Sequence, residues 1–250
     1  MRKLRTHFRL LRTALHLCQG SATVAFIYPW LSEKHRLALK KRWSRQLLTI
    51  LGVRLRYQGA LQADAKLPTG LIVANHISFL DIFVVNAIAP TAFVSKDDIR
   101  NWPLIGWLSA HTDTLFLERG SRSAAQRARE NLVHHLRRGR RVALFPEGTT
   151  TRGDTVLPFH SALLQSAIDV GTTVTPIVLR YRSDDGSHST APAYVDDISL
   201  LECLRSIADE KRLYAEVLAH APLTTAAVDR RELSAHAHRV ITHTLQEAGA

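Results

Sequence analysis

Short apolar runs alternate with helical patterns along the chain after residue 52. The run VRLRYQG alternates like a half-buried strand, whereas GLIVANH is a short buried strand that ends in a polar turn. The pattern predicts strands over 53–59, 70–76, 91–96, 113–120, 141–148, 173–181 and 212–221. It predicts helices over 79–88, 121–139, 157–169 and 229–247, with an irregular or short helical segment at 102–108. This alternation indicates an α/β domain with a mixed, mostly parallel sheet flanked by helices.

The amino-terminal segment has a different pattern. Residues 13–32 contain no Asp, Glu, Lys or Arg, but His16, Gln19 and Pro29 interrupt their apolar character. A spanning helix needs about 20 predominantly apolar residues, so a helix that enters one leaflet and returns is favoured over a span. Residues 35–51 predict a helix with one apolar face, and the alternative is that this helix docks on the protein itself.

Charge divides the chain at nearly the same place. The net charge is +11, but residues 1–56 hold 13 Lys or Arg and one acid, whereas residues 57–250 hold 20 basic and 21 acidic residues. A nucleic-acid-binding protein would carry its basic surface on the folded domain, so no nucleic-acid partner is expected. A basic end that is also apolar favours an anionic membrane surface, where each Lys or Arg contributes about 1 kcal/mol. We therefore predict a helical membrane anchor over 1–51 and an α/β domain over 52–250.

The first candidate site follows the predicted strand 70–76, where Asn75 and His76 precede Asp81. Ligands bind at the carboxyl ends of strands in open α/β sheets. Residues five apart on one helix point about 140° away from each other, so His76 can meet Asp81 only from a turn before a helix capped by Ser78. There the carboxylate would fix the imidazole tautomer and leave the other ring nitrogen free to accept a proton. The alternative is that Asp81 only favours the helix dipole.

The second candidate site follows the strand 141–148. Its residues are Phe145, Pro146, Glu147, Gly148, Thr149, Thr150, Thr151 and Arg152. Gly148 permits an unusual backbone angle, and the hydroxyl and backbone N–H groups suit an anion. Arg152 is able to pair with a phosphate through two hydrogen bonds. The alternative is a strand–helix turn with capping threonines.

Arginines are dense after the strand that ends near Arg119, along the predicted helix 121–139. Such a run is usually a solvated face, but it also suits an acidic acyl carrier protein or the phosphates of coenzyme A. Other chemistries have less support, since the chain has no G-x-S-x-G elbow and no Walker loop. Its 13 histidines lack Cys or Asp partners at ligand spacing, so no metal site is expected. The two cysteines are far apart in sequence and predict a reducing compartment.

Taken together, four segments resemble the lysophosphatidic acid acyltransferase family (1-acylglycerol-3-phosphate O-acyltransferases) of the glycerolipid acyltransferases. His76 and Asp81 are similar to its catalytic H-x4-D pair. Residues 96–108 and 116–119 are similar to its second block, whose arginine helps to hold the acceptor. Residues 145–149 match its F-P-E-G-T block, and 174–178 resemble its hydrophobic fourth block. The resemblance covers about residues 50–185.

The resemblance implies an acyltransferase that needs no metal, cofactor or covalent intermediate. His76 would take the proton of a lysolipid hydroxyl, Asp81 would stabilise the imidazolium, and the thiolate of coenzyme A or acyl carrier protein would leave. The expected partners are membrane lipids, the lysolipid acceptor and the acyl donor, with the catalytic domain on the cytoplasmic face of the inner membrane. Substrate contacts are predicted for Asn75, Lys96, Arg119, Phe145, Pro146, Glu147, Gly148, Thr149, Thr150, Arg152 and Pro176.

One departure bears on the acceptor. Many members read F-P-E-G-T-R-S, with the arginine implicated in phosphate binding, whereas this chain has Thr150 there and an arginine only at 152. We predict lysophosphatidic acid as the acceptor and phosphatidic acid as the product, with a phosphate-free lysolipid such as lyso-ornithine lipid as the alternative. Two other functions stay open: a non-catalytic lipid-binding protein, which the intact His76 and Asp81 pair disfavours, and thioester hydrolysis by water.

Overall fold

The sheet has the predicted mixed, mostly parallel arrangement. The computed structural model describes residues 2–59, 67–102, 104–117 and 122–247. Within these ranges the strands are β1 (Val53–Gly59), β2 (Gly70–Ala74), β3 (Ala92–Lys96), β4 (Thr114–Leu117), β5 (Arg141–Leu144), β6 (Val174–Arg182) and β7 (Leu213–Ala219). They form one sheet in the order β1-β7-β6-β2-β5-β3-β4, and the neighbours are parallel except for β6 and β7.

The described helices are α1 (Arg2–Phe26), α2 (Glu33–Leu51), α3 (Leu80–Ile88), α4 (Ile105–His111), α5 (Arg122–Arg137), α6 (Gln165–Val170), α7 (Leu200–Asp209) and α8 (Arg230–Glu247). The predicted helix over 157–169 is shorter, because a 3₁₀ turn and α6 begin only at Ala162 and the preceding segment crosses the candidate site. Sequence analysis missed α7. A capping box between Ser199 and Glu202 marks its start and could have identified it.

Two apolar clusters cover the two faces of the sheet. One contains Ile72 and Ile177 together with Leu47, Leu48 and Leu51 of α2. The other joins the opposite sheet face to apolar residues of α5, α6 and α8. Because α2 supplies fully buried leucines to the main core, it packs as part of the α/β unit. The predicted boundary after residue 51 marks a change in chemistry, and the membrane role of residues 1–51 stays a prediction.

Helix α1 packs with its polar side inward. Its buried residues are Thr6, Thr13, His16 and Gly20. The imidazole of His16 stacks on the Trp43 indole of α2 with ring centroids 4.6 Å apart. A Cβ at position 20 would lie 2.6 Å from the indole nitrogen, so glycine permits this close approach.

The outer side of α1 is apolar. Leu4, Phe8, Leu11 and Leu15 recur at helical spacing and are between 57% and 76% exposed, and we call them the α1 stripe. Phe26 and Trp30 are exposed beyond it. In the part of the chain that the structure describes, no helix combines the length and apolar character required to cross a membrane. The α1 stripe is thus an apolar surface that the fold itself does not cover.

Candidate active site

Two of the predicted sites meet at one edge of the sheet. Strands β2 and β5 are parallel neighbours, so the turns that follow them lie side by side at their carboxyl ends. The backbone confirms this contact, because Thr151 N donates to the carbonyl oxygen of His76 at 2.8 Å. The H-x4-D segment and the F-P-E-G-T turn therefore form one site.

His76 and Asp81 make the contact that the sequence predicts. The imidazole Nδ1 lies 2.9 Å from the Asp81 Oδ2, and the side chains are 20% and 0% exposed, respectively. His76 precedes α3, and the Ser78 hydroxyl oxygen accepts a hydrogen bond from Leu80 N, the first helical residue, at 3.2 Å. Because an ionised carboxylate only accepts, Nδ1 donates and Nε2 keeps its lone pair. The arrangement suits a base that takes a proton at Nε2.

Four donors hold the Asp81 carboxylate in place. Besides His76, the backbone N–H groups of Ile77 and Ser78 donate to Oδ2 at 2.7 and 2.9 Å, and the Tyr181 hydroxyl donates to Oδ1 at 2.6 Å. Burial, followed by the charge of Asp81, raises the pKa of Tyr181 well above its usual value, so this hydroxyl keeps its proton. Sequence analysis missed Tyr181, which lies 100 positions away on β6.

The F-P-E-G-T turn supports His76 from the other side. The Phe145 ring stacks on the imidazole with centroids 3.9 Å apart. Glu147 Oε1 accepts from His76 N, and its Oε2 accepts from Leu157 N, both at 2.7 Å. Burial raises the pKa of Glu147, although these two backbone hydrogen bonds oppose the shift. Both carboxylate oxygens are engaged by the backbone, so Glu147 positions His76 rather than contacting substrate as predicted.

Gly148 and its neighbours form a tight turn. Gly148 has a φ of +68°, which favours glycine, and its N–H donates to the Phe145 carbonyl oxygen at 3.1 Å. Pro146 is buried, and its carbonyl oxygen accepts from His160 N at 2.8 Å. Thr149 is exposed next to Gly148. Of these residues, Thr149 alone presents an exposed hydroxyl to a substrate.

Asn75 has a structural partner instead of the predicted substrate contact. Its amide side chain exchanges two hydrogen bonds with the Leu179 backbone of β6, Nδ2 donating at 3.0 Å and Oδ1 accepting at 2.8 Å. Pro176 is also displaced from the site, because it pairs with Val73 within the sheet. Successive strand residues alternate between faces, which places it with Val178, on the face away from Tyr181.

The predicted phosphate contacts are divided. The Thr150 hydroxyl donates to the Tyr194 carbonyl oxygen. Arg152 Nη2 lies 2.8 Å from Asp196 Oδ2, and both side chains are exposed. Lys96 ends β3 at the same sheet edge as His76 and is partly exposed. The prediction for Arg119 lies outside the described residues.

Fold and site together define an α/β enzyme whose histidine is oriented by a buried carboxylate at the carboxyl edge of a mostly parallel sheet. The sequence model of the Acyltransferase family matches residues 55–180, which contain all of the site except the 194–196 loop. The chain belongs to this family and is an acyltransferase, as the sequence predicted.

Individual relatives are of two named kinds. A lyso-ornithine lipid O-acyltransferase of Pseudomonas aeruginosa is 34% identical over 85% of this chain and 84% of its own length. A 1-acyl-sn-glycerol-3-phosphate acyltransferase of Neisseria gonorrhoeae is 39% identical over 60% of this chain and 59% of its own length. The crystal structure of the 1-acyl-sn-glycerophosphate (LPA) acyltransferase PlsC from Thermotoga maritima superposes with a TM-score of 0.75, covering 100% of this chain and 98% of that chain at 21% identity. This structural likeness supports the fold.

Proposed function

We propose that this acyltransferase moves a fatty acyl chain from a thioester to the hydroxyl of a lysolipid, with His76 as general base. The observation that carries the proposal is the free Nε2 of an imidazole whose Nδ1 is bound to a fully buried carboxylate. Nε2 takes the acceptor proton as the hydroxyl oxygen attacks the thioester carbonyl, and Asp81 stabilises the imidazolium. The carbon–sulfur bond then breaks, and the thiolate of coenzyme A or acyl carrier protein takes the proton.

A donor-consumption assay tests this function against the alternatives. Thioester loss that depends on an added lysolipid, with formation of the diacyl product, supports acyl transfer. Equal thioester loss without a lysolipid would indicate hydrolysis, and no loss with any acceptor would indicate a lipid-binding protein.

For the acceptor, we propose a phosphate-free zwitterionic lysolipid of the lyso-ornithine type, reversing the order that the sequence alone favoured. Thr150 is bonded to the backbone, and Arg152 is paired with the carboxylate of Asp196. A phosphate beside Asp196 would meet repulsion, whereas a headgroup with both signs of charge complements the pair. The Pseudomonas relative, which matches most of both chains, carries the corresponding name. Lysophosphatidic acid is the second candidate, because the Neisseria relative has the higher identity.

We expect kcat/KM to be at least tenfold higher, about 1.4 kcal/mol, for lyso-ornithine lipid than for lysophosphatidic acid under one acyl donor. Asp196→Asn and Thr150→Arg should each narrow this gap by improving use of the phosphate lipid, because one removes repulsion and the other adds a charged donor. Asp154→Asn provides the control for charge, since Asp154 lies near the turn without an ion pair to Arg152. A tenfold preference for lysophosphatidic acid would overturn the acceptor proposal and leave acyl transfer intact.

We also propose that the α1 stripe inserts into one leaflet on the cytoplasmic face of the inner membrane. Phe8→Gln/Leu11→Gln should weaken binding to anionic vesicles at least tenfold, because burial of each side chain contributes roughly 1.5–3 kcal/mol. Tyr57→Gln/Leu201→Gln changes two exposed apolar residues outside α1 and should bind like the parent chain. Vesicle sedimentation measures both. Substitutions are preferable to deleting residues 1–51, which would expose the core beneath Leu48. Equal binding by all three proteins would contradict the proposal.

A further inference from the structure

A basic groove runs between α1 and α2. It encloses about 690 Å³ and is lined by side chains of both helices. Four of the lining residues are cationic, namely Arg12, Lys41, Arg42 and Arg45, and none is acidic. Binding pockets for small ligands occupy about 300–1,000 Å³, so the groove has room for a ligand headgroup.

The cations of this groove are not neutralised by a nearby acid. Glu33 is the one acid among residues 1–56, and it pairs with Arg140 at 2.7 Å. Arg45 donates to the carbonyl oxygen of Ala87 at 2.8 Å, which fixes its position without cancelling its charge. Arg12 and Arg42 are exposed. Like charges gathered on facing helices repel each other, and an anion between them would remove that repulsion.

The groove is continuous with the α1 stripe. Leu15 belongs to both, and on a helix Arg12 and Gln19 lie only about 60° and 40° around the axis from Leu15. The charged side of the groove thus borders the surface proposed to enter the membrane. A ligand with an anionic head and apolar chains would contact both surfaces at once. A free anion would use only the groove.

We infer that the groove between α1 and α2 binds the phosphate-bearing headgroup of an anionic phospholipid, whose acyl chains lie along the α1 stripe. This inference rests on the proposed membrane attachment and adds a discrete lipid site to it. The groove shares no residue with the His76 site, so the bound lipid is a retained partner instead of the reacting acceptor. It would hold the enzyme at anionic regions of the bilayer in a fixed orientation.

The test compares two double variants that remove the same charge from the same two helices. Arg12→Gln/Arg42→Gln changes the groove, whereas Lys3→Gln/Lys34→Gln removes exposed lysines that do not line it. We expect the groove variant to lose at least tenfold in affinity for phosphatidylglycerol vesicles and the control variant less than threefold. Binding to phosphatidylcholine vesicles should be equal for both. Equal losses on phosphatidylglycerol would show diffuse attraction and overturn the site.

Two further arms separate other anions. Inorganic phosphate at millimolar concentration should not displace the vesicles beyond an ionic-strength-matched chloride control, and displacement would overturn the lipid assignment. Acyl carrier protein should bind the parent and the groove variant equally, and selective loss with unchanged vesicle binding would assign the groove to the carrier. Acyl transfer with soluble short-chain substrates, measured without vesicles, tests the proposed reaction separately.

Discussion

Replacing His76 with alanine is expected to lower turnover by about 10²–10⁴, the usual contribution of general base catalysis. The imidazole is the group that would accept the hydroxyl proton, and water at its place would be a far weaker base. The fold should survive, because the side chain is partly exposed and its interactions are with Asp81 and Phe145. The measurements are kcat with a saturating lysolipid acceptor and the melting temperature of each protein.

His236→Ala is the matched control, since His236 is exposed on α8, outside the site. It should retain the parent rate. A His76→Ala protein that turns over at a near-normal rate would remove the general base from the mechanism, even if lysolipid acylation itself were established. A variant that loses activity together with its melting transition would require the comparison to be repeated with His76→Gln, which keeps a polar side chain of similar reach.

The central part of the site could be predicted because each motif is local. His76 and Glu147 both follow buried apolar strands, and parallel strands bring their carboxyl ends to one edge. The contact between the two turns needed only that the strands be neighbours. The inward arrangement at His76 also followed from helix geometry, since five-residue spacing excluded a pair on one helix.

The parts that sequence analysis missed depend on distant partners. Tyr181 reaches Asp81 from a strand 100 positions away, and nothing in the run TVTPIVLRY separates this tyrosine from a core residue. The direction of the Glu147 carboxylate was equally inaccessible, because the motif does not show whether its oxygens meet backbone or ligand. Arg152 pairs with a loop that carried no motif.

The amino-terminal helices show a different limit. Apolar periodicity predicts a helix and a face, but it does not show whether that face packs inward. In α2 the apolar face joins the core through Leu47 and Leu51, whereas in α1 the apolar stripe is exposed and Thr13 and His16 are buried. The docked alternative was therefore right for α2, while the outward face of α1 carries the membrane proposal.

Asp81→Asn is expected to lower kcat by roughly 10²–10⁴ while leaving the protein folded. An asparagine can keep its carbonyl oxygen toward His76, Ile77 and Ser78 and turn its NH₂ group toward Tyr181, whose hydroxyl can rotate and accept. The hydrogen bonds around position 81 would then persist, but the negative charge that stabilises the imidazolium would be gone. The loss should appear in kcat and leave the KM of both substrates nearly unchanged.

Tyr181→Phe separates charge from hydrogen bonding at the same carboxylate. It leaves Asp81 ionised but removes the donor to Oδ1, so kcat should fall less than tenfold while the free energy of unfolding drops by about 1.5–3 kcal/mol. Combining it with Asp81→Asn strands the new NH₂ group without an acceptor, so the double variant should be less stable than the two single losses added together. Kinetics and urea unfolding of the three proteins measure both quantities. If Tyr181→Phe reduced kcat as much as Asp81→Asn, the orientation of the carboxylate, and not its charge, would be its main contribution to catalysis.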